Sequence, residues 1–260
     1  MAGGPYIGPG GLSPTIALVL PADVPPPPPP APLVCLDPGH GGRPNLETEP
    51  IGPGSTVRKV KDGGGAPGEA VVVLRIARKT HRILLAHGYR VAMTRTGPEF
   101  TYGARGNVDR ARFCNRRRAA LMLRIHADGS PNPRTHGVST LYPAWRRGWT
   151  DDIQRPSRRA AGDVRRALVR ATGAADRGLV ARGDLTGFNW ANVPVVLAET
   201  GFMTNPTERR RLRTARYQWR VARGLANGVD AFIRRPPPGG EGRAGRPVVS
   251  DGRRRNHRPS

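Results

Sequence analysis

His40 follows directly on a short apolar run, Leu33-Val34-Cys35-Leu36-Asp37-Pro38, and is set in a glycine-rich turn, Gly39-His40-Gly41-Gly42. Glycines on both sides let the chain bend sharply and leave the imidazole uncrowded, which suits a metal ligand better than a packed core histidine. A second histidine, His126, closes the apolar run Ala119-Ala120-Leu121-Met122-Leu123-Arg124-Ile125, and Glu199 closes Val193-Pro194-Val195-Val196-Leu197-Ala198. Such runs read as strands buried on both faces, so three ionisable groups emerge where three apolar strands stop. A structural ion pair accounts for one buried carboxylate. It does not account for a shared position at the carboxyl ends of strands, where an α/β sheet keeps its chemistry.

Glu69 heads a pattern in which Val73, Ile76, Thr80 and Leu84 recur at helical spacing, which puts it on the core-facing stripe. Read alone, Pro67 opens that helix and Glu69 complements its dipole. Read with the strand ends, two neutral imidazoles and a carboxylate make the three-ligand set of a catalytic zinc site, with the fourth position left for water of lowered pKa. A closed structural site needs a fourth protein ligand, commonly cysteine, and Cys35 and Cys114 have no CxxC spacing. His40, Glu69 and His126 are therefore expected to bind Zn2+. Glu199 is expected to act as the general base that takes a proton from water and returns it to a leaving amine.

The elements that position these groups are strands expected near 33–37, 90–94, 120–126, 138–142 and 193–198, and helices near 69–87, 107–118, 156–171 and 206–233. Their alternation implies an α/β fold: a mostly parallel twisted sheet of about six strands, with helices on both faces, in a single domain. The last helix has a clear start, with Asn205 as cap, Pro206 at the first position and Glu208 at the third. Arg43 to Gly65 reads as a long loop beside the metal, a substrate or lid element. Residues 1–32 read as a glycine-rich segment with a polyproline linker, 33–235 as the catalytic domain, and 236–260 as a disordered basic tail.

In this order, the segments resemble the zinc-dependent N-acetylmuramoyl-L-alanine amidases, in a form like that of actinobacterial members. The likeness covers about residues 33 to 233. It is carried by Asp37-Pro38-Gly39-His40-Gly41-Gly42, Glu69 opening a helix, a second strand ending in Thr94-Arg95, Arg110-Ala111-Arg112-Phe113-Cys114-Asn115, Ile125-His126-Ala127-Asp128, Gly137-Val138 and Glu199-Thr200-Gly201-Phe202-Met203-Thr204-Asn205. The resemblance implies zinc on His40, Glu69 and His126, Glu199 as the catalytic glutamate, peptidoglycan as substrate, and cleavage of the amide between the muramic lactyl group and L-alanine. The alternatives are a zinc peptidase acting within the stem peptide and a silent wall-binding or regulatory protein. The intact base argues against silence.

Arg124 departs from that family's pattern, which has a small serine two residues before the second histidine. Strand alternation points it to the side of His126. There it either binds a carboxylate of the substrate peptide or snorkels to solvent beside an acidic neighbour.

The chain carries 43 Lys and Arg against 19 Asp and Glu, a net charge of +24. Such an excess attracts polyanions, here anionic cell-wall polymers. Only 5% of residues are aromatic and there is no nucleic-acid motif, so no stacking platform and no specific nucleic-acid partner are expected. Peptidoglycan places the expected monomer outside the cell or in its wall. The apolar stretch Ile16–Leu20 is too short, and too poor in preceding cations, to make a convincing secretion signal, and no segment is long enough to span a membrane. Cys35 on a strand and Cys114 on a helix are expected as buried free thiols, unless that helix packs over that strand.

Overall fold

The computed structural model describes residues Met1, Gly4, 29–98 and 106–234. The tail at 236–260, and residues 1–32 apart from Met1, Gly4 and 29–32, lie outside the described residues. The elements are β1 (Leu33–Pro38), β2 (Asn45–Pro50), β3 (Arg58–Asp62), α1 (Glu69–Ala86), β4 (Arg90–Met93), α2 (Asn107–Arg116), β5 (Leu121–His126), β6 (Val138–Pro143), α3 (Gln154–Thr172), β7 (Asp176–Arg182), α4 (Thr186–Asn189), β8 (Val195–Glu199), α5 (Pro206–Arg213) and α6 (Ala215–Ile233).

Six strands form one sheet in the order β4-β1-β5-β8-β6-β7. The first four neighbours pair in parallel, whereas β6 runs antiparallel to β8 and parallel to β7. Period-two alternation sorts the central strands into two cores. Val34, Leu36, Leu121, Leu123, Ile125, Val196 and Ala198 meet the apolar stripes of α1, α3 and α6 on one face. Cys35, Met122, Val195 and Leu197 meet Phe113 of α2 and Phe188 of α4 on the other. The helices on the first face pack closely because α6 carries glycine at the crossing: a Cβ on Gly228 would lie 2.5 Å from the Val164 Cα of α3.

Four expectations need correcting. The Arg43–Gly65 stretch is not a plain loop, because β2 and β3 form a separate antiparallel hairpin within it. Strand β7 lies at the sheet edge, largely exposed, with Gly178 inside it, so it lacks the apolar alternation that announces a strand. The helix expected over 206–233 is two helices: Thr214 takes an extended backbone, and its hydroxyl accepts a hydrogen bond from the Tyr217 N–H to cap α6. Finally, α2 does pack over β1, and Cys35 and Cys114 are joined in a disulfide rather than left as free thiols.

Candidate active site

Strands β1, β5 and β8 lie side by side and end together, which gathers His40, His126 and Glu199 at one edge of the sheet. His126 and Glu199 are directly opposed in register. His40 lies two residues past β1, in a left-handed conformation with φ 56° that few non-glycine residues adopt. The turn presses on the neighbouring strand end: a Cβ on Gly39 would lie 2.3 Å from Cε1 of His126, so only glycine admits that ring.

Glu69, the first residue of α1, is 2% exposed. Its Oε1 lies 3.2 Å from His40 Nε2 and 3.2 Å from His126 Nδ1, and accepts the Ala127 N–H at 3.1 Å. Its Oε2 accepts the Ala66 N–H at 2.9 Å. Burial alone would raise the Glu69 carboxyl, but the two histidines outweigh it and hold the group well below the usual carboxylate range. Burial lowers His126.

Asp62, at the end of β3, was not singled out from the sequence. Its Oδ1 lies 2.6 Å from His40 Nδ1 and its Oδ2 accepts the Gly41 N–H at 2.9 Å. An ionised carboxylate has no hydrogen to give, so Nδ1 carries the proton and a neutral His40 turns the lone pair of Nε2 toward Glu69. A lone pair facing a carboxylate oxygen is repulsive, and a cation between them makes the contact favourable. Burial would lower His40, yet Asp62 and Glu69 push it up to about 9, so that with no cation between Nε2 and Glu69 the ring takes up a second proton there. The ligand atoms of His40, Glu69 and His126 all lie within 4.8 Å of one another, and two imidazoles with one carboxylate fit a divalent ion that keeps an open position.

Glu199 is 8% exposed, and its Oε2, like Nε2 of His126, is buried with no hydrogen-bond partner among the described residues. Burial, then the charges of Asp128 and Glu69, raise its pKa well above the ordinary glutamate value. A cleft of about 450 Å³ is lined by all four groups, His40, Glu69, His126 and Glu199.

Beneath the turn lies a second charged cluster. Asp37 is fully buried, with Oδ1 accepting from Arg110 at 2.8 Å and from the Thr94 hydroxyl at 2.6 Å, and Oδ2 accepting from Arg124 Nε at 2.8 Å. Burial would raise Asp37, but Arg110 and Arg124 hold it well below the usual range. Arg95, 1% exposed, donates to the carbonyls of Pro38, Gly39 and Ala70, tying the His40 turn to the first turn of α1. Arg124 is therefore not a solvated side chain: it is 4% exposed, bound to Asp37 and, through a terminal nitrogen, to Asn107 Oδ1 at 2.6 Å. It also lines a pocket of about 290 Å³ with His40, His126, Lys59 and Lys61.

Known proteins resemble the chain in sequence and, for a solved structure, in fold. The chain is 27% identical to the N-acetylmuramoyl-L-alanine amidase AmiA of Salmonella typhimurium, over 77% of this chain and 76% of the relative. It is 28% identical to an N-acetylmuramoyl-L-alanine amidase of Mycobacterium tuberculosis, over 83% of this chain and 92% of the other. The crystal structure of the N-acetylmuramyl-L-alanine amidase Ami1 from Mycobacterium smegmatis superposes with a TM-score of 0.69 at 28% identity, covering 78% of this chain and 97% of that one. The sequence profile described as N-acetylmuramoyl-L-alanine amidase matches residues 34–231, which contain every site residue above, and the chain belongs to that family.

Proposed function

We propose that this chain is a zinc-dependent peptidoglycan hydrolase that cleaves the amide between the lactyl group of N-acetylmuramic acid and the L-alanine of the stem peptide. The observation that carries the reading is the common cleft: a three-ligand set on His40, Glu69 and His126 with Glu199, whose Oε2 has no hydrogen-bond partner among the described residues, facing it from the adjacent strand end. Zinc bound by those three residues would supply Lewis-acid activation of the carbonyl and of water. Glu199 accepts the proton of the attacking water and delivers it to the alanine nitrogen as the amide breaks; burial raises its carboxyl above the ordinary glutamate value, which favours holding that proton between the two transfers. Asp62 holds the His40 ring, and Thr200, donating from N–H and hydroxyl to the His126 carbonyl, holds the backbone at the end of β5.

The same reading places the chain outside the cytoplasm. The Cys35–Cys114 cross-link supports it, since disulfides persist in oxidising compartments. No helix among the described residues is long and apolar enough to cross a membrane. Mass analysis of digested peptidoglycan tests the activity. Free lactyl-muramic ends with intact stem peptides are expected; shortened stems would identify a peptidase, and an absence of products would identify a silent binder.

A further inference from the structure

Helix α1 has two faces with separate jobs. Its buried stripe begins at Glu69 in the active site, and its exposed stripe carries Arg75, Arg78, Lys79 and Arg82. These positions follow i, i+3, i+4, i+7 spacing, so the four cations share one side of the helix, with Arg75/Lys79 and Arg78/Arg82 as like-charge pairs one turn apart. Such pairs destabilise a helix, and a solvated charged face ordinarily interleaves acids among them. Here Glu69 is the only acid in α1.

The opposing wall comes from the α5–α6 junction. Arg213, Gln218 and Trp219 complete a groove of about 480 Å³ that contains five cations and no acidic residue. None of the five enters a salt bridge among the described residues. Arg78 donates to the Thr96 carbonyl, and Lys79 Nζ to Gln218 Oε1 at 3.0 Å, both neutral acceptors. Lys79 and Arg82 each lie 5.7 Å from the centre of the Trp219 ring. Burial, then repulsion from Arg75 and Arg82, lowers Lys79, the direction expected where cations are held together without a counter-charge. One wall of the groove approaches the residues that open α1: a Cβ on Gly68, the residue before Glu69, would lie 3.5 Å from an Arg213 terminal nitrogen.

We infer that this groove is a binding site for a linear phosphodiester polymer, aligned along α1 so that the polymer leads to the catalytic cleft. A row of cations matches a ligand with negative charge at every repeat better than an isolated carboxylate, and arginine's fork suits phosphate oxygens. Nucleic acid is disfavoured because the groove offers one aromatic ring, already engaged by two cations, and no platform for successive bases. That the polymer is a component of the wall rests on the amidase reading; the site itself does not.

The test is equilibrium binding of the full chain to poly(glycerol phosphate), with a single-stranded oligodeoxynucleotide of equal phosphate number beside it and hydrolysis of a soluble muramoyl peptide measured in parallel. Arg75→Ala/Arg82→Ala should weaken poly(glycerol phosphate) binding by about tenfold or more and flatten its salt dependence. The control Arg155→Ala/Arg158→Ala, which removes two exposed charges from α3, should leave both unchanged. Muramoyl-peptide hydrolysis should be equal in all three proteins. Equal losses in both double variants, tighter binding of the oligonucleotide, or no binding at all would overturn the site. Binding that persists in a chain that hydrolyses nothing supports the site while overturning the amidase reading.

Discussion

Asp62 Oδ1 lies 2.6 Å from His40 Nδ1, and the same carboxylate accepts the backbone N–H of Gly41 and of Gly64. The β2–β3 hairpin thus ends in a group that fixes both the ring orientation and the tautomer of a residue proposed to hold the metal. Partners of this kind typically control metal affinity by 10–100-fold. Asp62→Asn should therefore weaken zinc binding by about 10–100-fold. Competition titration with a chelator measures this, and unchanged affinity would make the contact incidental.

The three ligands and the base should separate cleanly. His40→Ala, Glu69→Ala and His126→Ala are each expected to lose stoichiometric zinc together with activity, whereas Glu199→Gln should lose activity and retain the metal. Metal analysis of purified variants beside turnover of a muramoyl peptide decides it. Zinc loss in all four would make Glu199 a ligand.

How much of this site could be read from the chain follows from where burial writes a pattern. His40, His126 and Glu199 were legible because each ends an apolar run that is buried on both faces, and Glu69 because it falls on the stripe shared by Val73, Ile76 and Thr80. Asp62 was not, because Asn45–Pro50 and Arg58–Asp62 are mostly polar and half-exposed, so the hairpin shows no period-two signal. The break at Thr214 was hidden for a different reason: a capping hydroxyl inside a continuous helical pattern looks like any surface threonine until its backbone is seen. The pairing of Cys35 with Cys114 depends on which helix lies over which strand, and a separation of 79 residues carries no such information.

That disulfide closes a long loop and sits in the core, both half-cystines being fully buried. The chain-entropy relation gives about 4.5 kcal/mol for a loop of this length, as an upper figure. Cys35→Ala/Cys114→Ala should lower Tm by several degrees with little change in turnover of the folded enzyme at low temperature. Calorimetry of the oxidised, reduced and doubly substituted proteins measures it. Identical Tm values would show that the cross-link adds nothing to the packing of α2 on β1.

Arg124 and Arg110 together hold Asp37 ionised below its ordinary value of 3.8. A carboxyl depressed in the folded state stabilises fully above the unfolded pKa, and that contribution is lost as pH falls through the folded one. Arg124→Met removes one of the two cations and raises the folded pKa, so acid unfolding should begin at higher pH. With both partners buried, the loss near neutral pH should be about 3 kcal/mol, a denaturant measurement. Because Arg124 also lines the pocket beside His40 and His126, we propose that its guanidinium meets a carboxylate of the stem peptide. The KM of Arg124→Met should then rise for peptides bearing that carboxylate and stay level when it is amidated. A KM that moves equally for both peptides would confine Arg124 to holding Asp37 in place.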